Sequence, residues 1–312
     1  MKIKLFIFLF CGFLLKSTAQ DTAHLSVLRA MTFNLWHGGD AVKLPREVSI
    51  HGQLMAIRAA KADVVGFEEQ TSNHSDNTSR AKILADSLGW HCHLVNGSCA
   101  IISRFPMKEI PSVSGKNAQA VILELENGKQ VAFGVMHLMY TPYEPYDIAD
   151  KKMKTTAEAE QSARETRLYQ VEAMLQDISE IRRAGLPIIL VGDFNEPSCL
   201  DWTAKAIAER NDPTLPFAVN WPATATLLQV GFADAYRDIY PDVFAKPGYT
   251  WTARPGLFRN PEVLDRIDFI YHTKQLKTSD VWVIGEKADD VDIQIEPWPS
   301  DHRAVAAEFI LN

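Results

Sequence analysis

The 312-residue sequence lacks an N-terminal apolar run long enough to cross a membrane. The run from Leu5 to Leu15 has eleven residues, whereas a transmembrane helix needs roughly 20. Lys2 and Lys4 precede it and small residues at 17–19 follow it, which is the pattern of a secretory signal peptide. We therefore predict a signal peptide over residues 1–19, a mature chain over residues 20–312 that is secreted or periplasmic, and no stable membrane insertion.

The sequence also lacks an excess of basic residues. It has 32 Lys and Arg against 39 Asp and Glu, a net charge of −7. Removal of Lys2, Lys4 and Lys16 with the signal peptide leaves 29 basic residues and a charge of −10. Binding to nucleic acid through charge needs a basic surface, so a nucleic-acid partner is disfavoured. A hydrophobic content of 46% excludes a disordered chain, and nothing in the sequence predicts a protein partner.

Cysteine is scarce. Cys92, Cys99 and Cys199 remain after the signal peptide, and an odd number leaves at least one thiol unpaired. Asn96-Gly97 predicts a two-residue hairpin turn, in which Leu94 faces Cys99 and Cys92 lies diagonal to Cys99 on the same face. Diagonal neighbours are roughly 7–8 Å apart, which is long for a disulfide, so a bridge there is not favoured. A zinc site is not favoured either, because no second ligand pair follows at zinc spacing.

Apolar strands and amphipathic helices alternate along the mature chain. Strand-like stretches at 28–33, 63–67 and 186–191 are separated by helical stretches, the longest at about 156–183. Other strands are joined by hairpins at Asn96-Gly97 and Asn127-Gly128. This mixture predicts an α/β fold in which two mixed β-sheets pack face to face with helices outside. No linker or internal repeat divides the chain, so we predict a single domain over residues 20–312.

Polar residues follow four of the apolar strands directly. They are Asn34, Glu69, His137, and Asp193 with Asn195. Any one of them could be a turn former or a helix cap. Ligands in layered α/β folds gather at the carboxyl ends of strands, and a hydrophobic core gives no reason to place a polar side chain at each of these ends. The four together predict a functional site.

Two further segments carry residues suited to acid–base chemistry. In Ser300-Asp301-His302, the histidine changes charge near neutral pH and is a natural general base, while Asp301 could bind a metal. Asp268 opens an apolar strand, which is a poor position for a charge unless it is paired. Asp265 is an alternative to Asp268, and Glu68 is an alternative to Glu69, so the residues alone leave the choice of carboxylate open.

These motifs, in this order, resemble the endonuclease/exonuclease/phosphatase superfamily. The resemblance rests on Asn34 after Met31-Thr32-Phe33, on Glu69, on Ser103-Arg104-Phe105-Pro106, on His137, on Gly192-Asp193-Phe194-Asn195, on Arg266-Ile267-Asp268-Phe269-Ile270 and on Ser300-Asp301-His302. It covers residues 28–311. It implies a four-layer α/β sandwich with the site at the strand ends, and cleavage of phosphate esters with Mg²⁺ or a similar divalent metal such as Mn²⁺ or Ca²⁺.

The resemblance also implies a role for each matched residue. Glu69 would be the main metal ligand, supported by Asn34 and Asp301. His302 would be the base that activates water, oriented by Asp268. Asp193 and Asn195 would position the water and a phosphoryl oxygen, and His137 would stabilise the pentavalent phosphorus or the leaving oxygen.

Residues beside these motifs suggest substrate contacts. Trp36 and His37 follow Asn34, and Tyr140 follows His137, so all three are candidate substrate-binding residues, although each could simply pack beneath a loop. The acidic charge favours a small or lipid-like phosphodiester as substrate. The alternatives are an extracellular nuclease, a phosphomonoesterase, and a non-catalytic binding protein with the same fold.

Overall fold

A computed structural model describes residues 26–72, 78–95, 98–112, 119–126 and 128–311. The predicted signal peptide and the turn residues Asn96, Gly97 and Asn127 lie outside the described residues. Within the described part of the chain, no helix is long and apolar enough to cross a membrane.

The described elements are thirteen strands and nine α-helices. The strands are β1 Ser26–Asn34, β2 Val64–Glu68, β3 His91–Leu94, β4 Ala100–Ser103, β5 Met107–Ile110, β6 Gln119–Glu124, β7 Gln130–His137, β8 Ile188–Asp193, β9 Phe232–Asp234, β10 Asp268–Thr273, β11 Leu276–Gly285, β12 Ile293–Gln294 and β13 Ala304–Leu311. The helices are α1 Arg46–Ala59, α2 Arg80–Leu88, α3 Glu144–Ala149, α4 Thr156–Ala163, α5 Tyr169–Asp177, α6 Ser179–Arg183, α7 Ala204–Arg210, α8 Pro222–Gln229 and α9 Ala235–Ile239.

The strands form two mixed sheets. One has seven strands in the order β12-β11-β13-β1-β2-β4-β3, and the other has six in the order β5-β6-β7-β8-β10-β9. Alternation along each strand divides its side chains between two cores. In β1, Leu28 and Ala30 face the second sheet, whereas Met31 and Phe33 face α1 and α2. The predicted α/β sandwich of two face-to-face sheets with outer helices is confirmed.

The two sheets approach each other closely near the middle of β2. A Cβ atom added to Gly66 would lie 2.5 Å from Cγ2 of Val191 and 3.1 Å from Cγ2 of Val135. Only glycine therefore fits between these two valines. This close approach brings the ends of strands from opposite sheets to within hydrogen-bonding distance of one another.

The sheet topology brings the strand termini that build the site to the same end of the two sheets. The parallel pairs β1–β2 and β7–β8 end there with their carboxyl termini. β13 is antiparallel to β1, and β10 is antiparallel to β8, so these two strands begin at the same edge. Asp193 pairs with both His137 and Asp268 in the ladder. The side chains of the site therefore come from the carboxyl ends of β1, β2, β7 and β8 and from the amino ends of β10 and β13.

The predicted register of the first hairpin is wrong by one residue. Leu94 pairs with Ala100 rather than Cys99, and Cys92 pairs with Ile102. The Val95 N–H donates to the carbonyl of Cys99, so these two residues pair instead of the expected Leu94 and Cys99. Because a one-residue slip moves side chains to the opposite face, Cys99 joins the core between the sheets and Cys92 packs on the helix side. Cys92, Cys99 and Cys199 are free thiols.

The predicted long helix at 156–183 is interrupted twice. Residues Arg164–Leu168 form a π-helical turn between α4 and α5, and α5 ends at Asp177 before α6 begins. The wider turn holds the fully buried Arg167, whose guanidinium donates to the Glu144 carboxylate (2.8 Å) and to the Met139 carbonyl (2.9 Å). The interruption therefore ties the helix to the loop that follows β7.

Candidate active site

Asn34 links the two sheets at the centre of the site. Its Nδ2 donates to Oδ2 of Asp193 at 2.9 Å and lies 3.4 Å from Oε1 of Glu69. Its Oδ1 accepts the backbone N–H of Trp36, and its carbonyl accepts the Ser300 hydroxyl at 2.7 Å. Asn34 is fully buried, so these contacts fix both carboxylates relative to the end of β1.

Glu68 is the last residue of β2 and Glu69 directly follows it. Their side chains point to opposite sides, as alternation along a strand requires. Glu68 points between the sheets, is fully buried and accepts the Thr32 hydroxyl at 3.0 Å. Burial, together with the charges of Asp268 and Asp193, raises the pKa of Glu68 well above its ordinary value. Glu69 has φ +50° and turns into the cleft. Glu69 is therefore the carboxylate that faces the site.

A tight loop holds the Glu69 carboxylate. The backbone N–H of His37 donates to Oε2 of Glu69 at 3.2 Å, and the N–H of Gly38 donates to its carbonyl at 2.6 Å. Trp36, His37, Gly38 and Gly39 all have positive φ, which is costly for the two non-glycine residues. The His37 ring lies near the same carboxylate, with Nδ1 3.7 Å from Oε2.

His137 closes the end of β7. Its Nε2 lies 3.6 Å from Oδ2 of Asp193 and 4.0 Å from Oε1 of Glu69. Its Nδ1 lies 3.5 Å from the Ser98 hydroxyl. Nε2 is buried and has no hydrogen-bond partner among the described residues. This nitrogen is directed toward the two carboxylates and is free to contact a ligand.

His302 has the surroundings of a general base. Its Nδ1 lies 3.0 Å from Oδ2 of Asp268, and its Nε2 lies 3.6 Å from Oδ2 of Asp193. Burial disfavours the imidazolium, but the charges of Asp268 and Asp193 outweigh it and raise the pKa of His302 well above its ordinary value. Asp268 is itself buried, and burial raises its pKa. The pair leaves Nε2 as the nitrogen available for proton transfer.

Asp193 and Asn195 share a turn at the end of β8. The N–H of Asn195 donates to Oδ1 of Asp193 at 2.8 Å, and its Nδ2 donates to the Leu138 carbonyl at 3.2 Å. Asn195 has φ +47°. This is the Asx-type turn that the sequence allows, but its residues also line the cleft. The turn places the Asp193 carboxylate near both histidines and leaves Asn195 in the lining of the cleft.

Asp265 has a different role from Asp268. Its oxygens accept the Trp202 indole N–H at 2.9 Å and the Tyr143 hydroxyl at 3.0 Å. Burial raises the pKa of Asp265 to about 6. Because both oxygens are engaged by these donors, Asp268 is the carboxylate that orients His302, and Asp265 anchors the aromatic residues below the cleft.

A family model described as the endonuclease/exonuclease/phosphatase family matches residues 31–302. The chain belongs to this family. Family members are typically hydrolases that act on phosphoesters, and the family includes metal-dependent phosphoesterases and nucleases.

Two curated relatives match the chain. An uncharacterized protein of Caenorhabditis elegans is 28% identical over 94% of both chains. An exodeoxyribonuclease of Bacillus subtilis is 29% identical over 47% of this chain and 52% of its own.

Solved structures show the same fold. The family protein from Beutenbergia cavernae has a TM-score of 0.55 at 19% identity, covering 92% of this chain and 72% of its own. The human Nocturnin catalytic domain with bound sulfate has a TM-score of 0.55 at 20% identity, with coverages of 92% and 95%. D. rerio TDP2 with a single-stranded DNA product has a TM-score of 0.53 at 17% identity, with coverages of 91% and 99%.

The side-chain oxygens of Glu69, Asn34 and Asp301 fit the divalent metal that the family generally uses. Burial raises the pKa of Asp301 to about 6, and the charges of Glu69 and Asp193 add to the rise. Carboxylates that repel one another in this way favour a bound cation, and oxygen ligands suit Mg²⁺, Mn²⁺ or Ca²⁺. Asp193, Asp268 and His302 form a second group whose ligand atoms lie within 4.8 Å of one another. In that group the Asp268–His302 hydrogen bond already occupies Nδ1.

A cleft of about 730 Å³ opens onto these residues. Of the residues predicted from the sequence, it is lined by Trp36, His37, Glu69, Tyr140, Asp193, Asn195, Asp301 and His302. Asn34 and Asp268 contact this set from below, and His137 lies beside Glu69 and Asp193. The structure therefore brings every predicted site residue together. The sequence analysis missed Trp251 and Phe258, which line the cleft, and Ser98 beside His137; none of the three lies in a recognisable motif.

Proposed function

We propose that this chain is an exported, divalent-metal-dependent phosphodiesterase that hydrolyses a small or lipid-like diester. The observation that carries the proposal is the position of Asp193, whose Oδ2 lies 3.6 Å from Nε2 of His137 and 3.6 Å from Nε2 of His302. One buried carboxylate thus has an imidazole on either side at the open edge of a cleft. Such an arrangement can orient a water, remove its proton and donate to an oxygen of the ester.

His302 takes the proton of the attacking water on Nε2. The negative charge of Asp268 stabilises the imidazolium that forms, and its contact with Nδ1 holds the ring in the tautomer that leaves Nε2 unprotonated beforehand. Asp193 accepts a hydrogen bond from the same water and directs its lone pair at phosphorus.

His137 and Asn195 donate to the oxygens that gain negative charge. Nε2 of His137 faces Glu69 and Asp193 and has no hydrogen-bond partner in the described part of the chain. Asn195 retains one amide hydrogen beyond the one given to Leu138. Glu69, with Asn34 and Asp301, would hold the metal, which when bound neutralises charge on the phosphate and lowers the barrier to attack.

The proposal of a small or lipid-like diester rests on charge. The net charge of −7 and the acidic residues around Lys151 and Lys152 give no basic surface that would follow a DNA backbone. A nuclease is the second candidate, since one matched relative is named an exodeoxyribonuclease. Export is proposed from the signal-peptide pattern of residues 1–19 alone.

The test is hydrolysis of bis(p-nitrophenyl) phosphate and p-nitrophenyl phosphate with Mg²⁺ or Mn²⁺, and then with EDTA. We expect metal-dependent turnover of the diester, its loss in His302→Ala, and its retention in His51→Ala, which changes an exposed histidine of α1. Turnover of the monoester alone would identify a phosphatase. Faster cleavage of plasmid DNA than of small diesters and phospholipids would identify a nuclease. No turnover of any of them would favour a binding protein.

A further inference from the structure

Three aromatic rings form a continuous surface that begins at the general base. The Trp251 ring lies 4.8 Å from the His302 ring, centroid to centroid. Phe258 stacks on Trp251 at 5.0 Å with an interplanar angle of 29°, and Trp36 meets Phe258 edge-on at 6.0 Å. We call Trp36, Trp251 and Phe258 the aromatic wall. All three line the same cleft as Glu69 and His302.

Contacts behind the wall hold Trp251, the ring nearest to His302. The Trp251 indole N–H donates to the Tyr146 hydroxyl at 3.0 Å, and that hydroxyl donates to Glu262 at 2.5 Å. The Trp251 backbone forms bridges to Asp265 and His302. The Arg254 guanidinium lies 6.0 Å from the Trp36 ring centroid. The Trp251 ring is therefore held in place without a ligand, as in a preorganised binding surface, and Phe258 stacks on it.

The wall remains open to solvent. Phe258 is 46% exposed, and Trp36 and Trp251 are only partly buried. A structural role in the core would bury these rings, as it does for Trp202 and Trp221, which are both 0% exposed. Adjoining exposed apolar rings at a cleft are typical of a ligand-binding surface.

The charges in the part of the cleft beside the aromatic wall are balanced, since Arg259 adjoins Phe258 and lies over the Tyr146 ring. Asp147 and Asp150 line it there, but Lys152 lies 3.0 Å and 3.3 Å from their oxygens. The Arg259 guanidinium lies 2.8 Å from Asp150. Because Asp147 and Asp150 each have a cationic partner, neither carboxylate is left unpaired to attract a cationic headgroup. The cleft is suited to an uncharged group beside a single phosphate.

We propose that the aromatic wall is a subsite that stacks a planar aromatic ring carried by one alcohol of the diester. The proposal rests on the proposed function, since the phosphate lies beside His302 and the ring lies on Trp251 and Phe258. Stacking on flat, half-exposed rings favours a planar group over a saturated one of similar size. A nucleobase and a simple aryl group share this chemistry, so the test includes both.

The kinetic test compares two diesters with similar leaving alcohols, benzyl methyl phosphate and cyclohexylmethyl methyl phosphate. Alcohol release by the metal-loaded enzyme is followed by proton NMR. We expect kcat/KM to be about tenfold higher for the benzyl diester, since stacking on an aromatic side chain contributes at about this level. Phe258→Leu keeps an apolar side chain but removes the ring, and should abolish the preference.

The matched control is Leu257→Ala. Leu257 is 54% exposed and adjoins Phe258, but it is not among the residues that line the cleft. This variant should keep the wild-type preference. An equal or higher kcat/KM for the cyclohexylmethyl diester in the wild type, or an unchanged preference in Phe258→Leu, would overturn the subsite.

A binding measurement separates failure of the subsite from failure of the proposed function. Benzyl phosphate, cyclohexylmethyl phosphate and thymidine 5′-monophosphate are titrated calorimetrically into the metal-loaded protein. If no diester is cleaved but benzyl phosphate or the nucleotide binds about tenfold tighter than the cyclohexyl compound, and Phe258→Leu removes the difference, the subsite stands and hydrolysis fails. Equal affinities would overturn the subsite. The tighter of the two aromatic ligands identifies the source of the ring.

Discussion

Replacement of Asp268 by asparagine should abolish most of the activity without unfolding the chain. Oδ2 of Asp268 lies 3.0 Å from Nδ1 of His302, and both side chains are buried. At an effective dielectric constant of about 20, unit charges about 3 Å apart interact by about 5 kcal/mol, and this attraction favours the charged form of His302. Removing that charge takes away the main support of the imidazolium.

The substitution also reverses the hydrogen bond. An asparagine amide donates to Nδ1 and leaves the proton of the neutral ring on Nε2, where it blocks acceptance of a proton from water. Loss of a carboxylate that orients a catalytic histidine lowers kcat by about 10⁴-fold in a serine protease, and we expect a fall of about that size here. KM should change little, because Asp268 lies behind His302 and away from the substrate.

The assay is kcat for bis(p-nitrophenyl) phosphate as a function of pH. The base works only when neutral, and the pKa of His302 is raised, so the wild-type rate should rise with pH up to that raised pKa. Asp268→Asn should lack this rise. Asp238→Asn is the matched control, because Asp238 contacts a histidine outside the site, with Oδ2 2.7 Å from Nε2 of His272. A folded Asp268→Asn variant that keeps more than a tenth of wild-type kcat would refute the role of the pair.

Three further predictions concern stability. A Cβ at Gly192 (φ +152°) would lie 1.9 Å from the Met136 carbonyl oxygen, so Gly192→Ala should cost about 3 kcal/mol or more, measured by thermal unfolding. Burial raises the pKa of Glu196 to about 8, so the free energy of unfolding of the wild type should fall as pH rises from about 4.5 to 8. At pH 9 the free energy of unfolding of Glu196→Gln should exceed that of the wild type by on the order of 4 kcal/mol. Urea unfolding at pH 5 and pH 9 measures both. Fully buried Arg80 donates to Asp40 at 2.9 Å beneath the loop that holds Glu69; Arg80→Met should cost about 3–5 kcal/mol and weaken Mg²⁺ binding in a calorimetric titration.

Much of the fold and the site could be predicted because the relevant signals are local. An apolar strand that ends in a polar residue is visible in the sequence, and parallel strands bring such ends to one edge. Asn34, His137 and Asp193 were placed in this way. The roles assigned to the site residues stay predictions, since geometry shows only that these side chains converge.

The remaining features depend on contacts between residues that are far apart in the sequence. Trp251 and Phe258 belong to the segment between α9 and β10. The backbone bridges from Trp251 to Asp265 and His302, and its hydrogen bond to Tyr146, place the Trp251 ring beside His302. The hairpin register was wrong because Asn96-Gly97 favours a two-residue turn, whereas Cys99 packs between the sheets and pairs with Val95. Local turn preference is weaker than burial of a whole strand face.

The site depends on the packing of one sheet against the other. Asn34 ends a strand of the seven-stranded sheet and Glu69 directly follows another, whereas His137, Asp193 and Asp268 belong to the six-stranded sheet. The Asn34–Asp193 hydrogen bond at 2.9 Å crosses between them. A shift of about 1 Å at such a site can cost about a hundredfold in rate, so activity constrains the spacing of the sheets as strictly as stability does. Gly66 permits this spacing, because the absence of a side chain there leaves room for Val191.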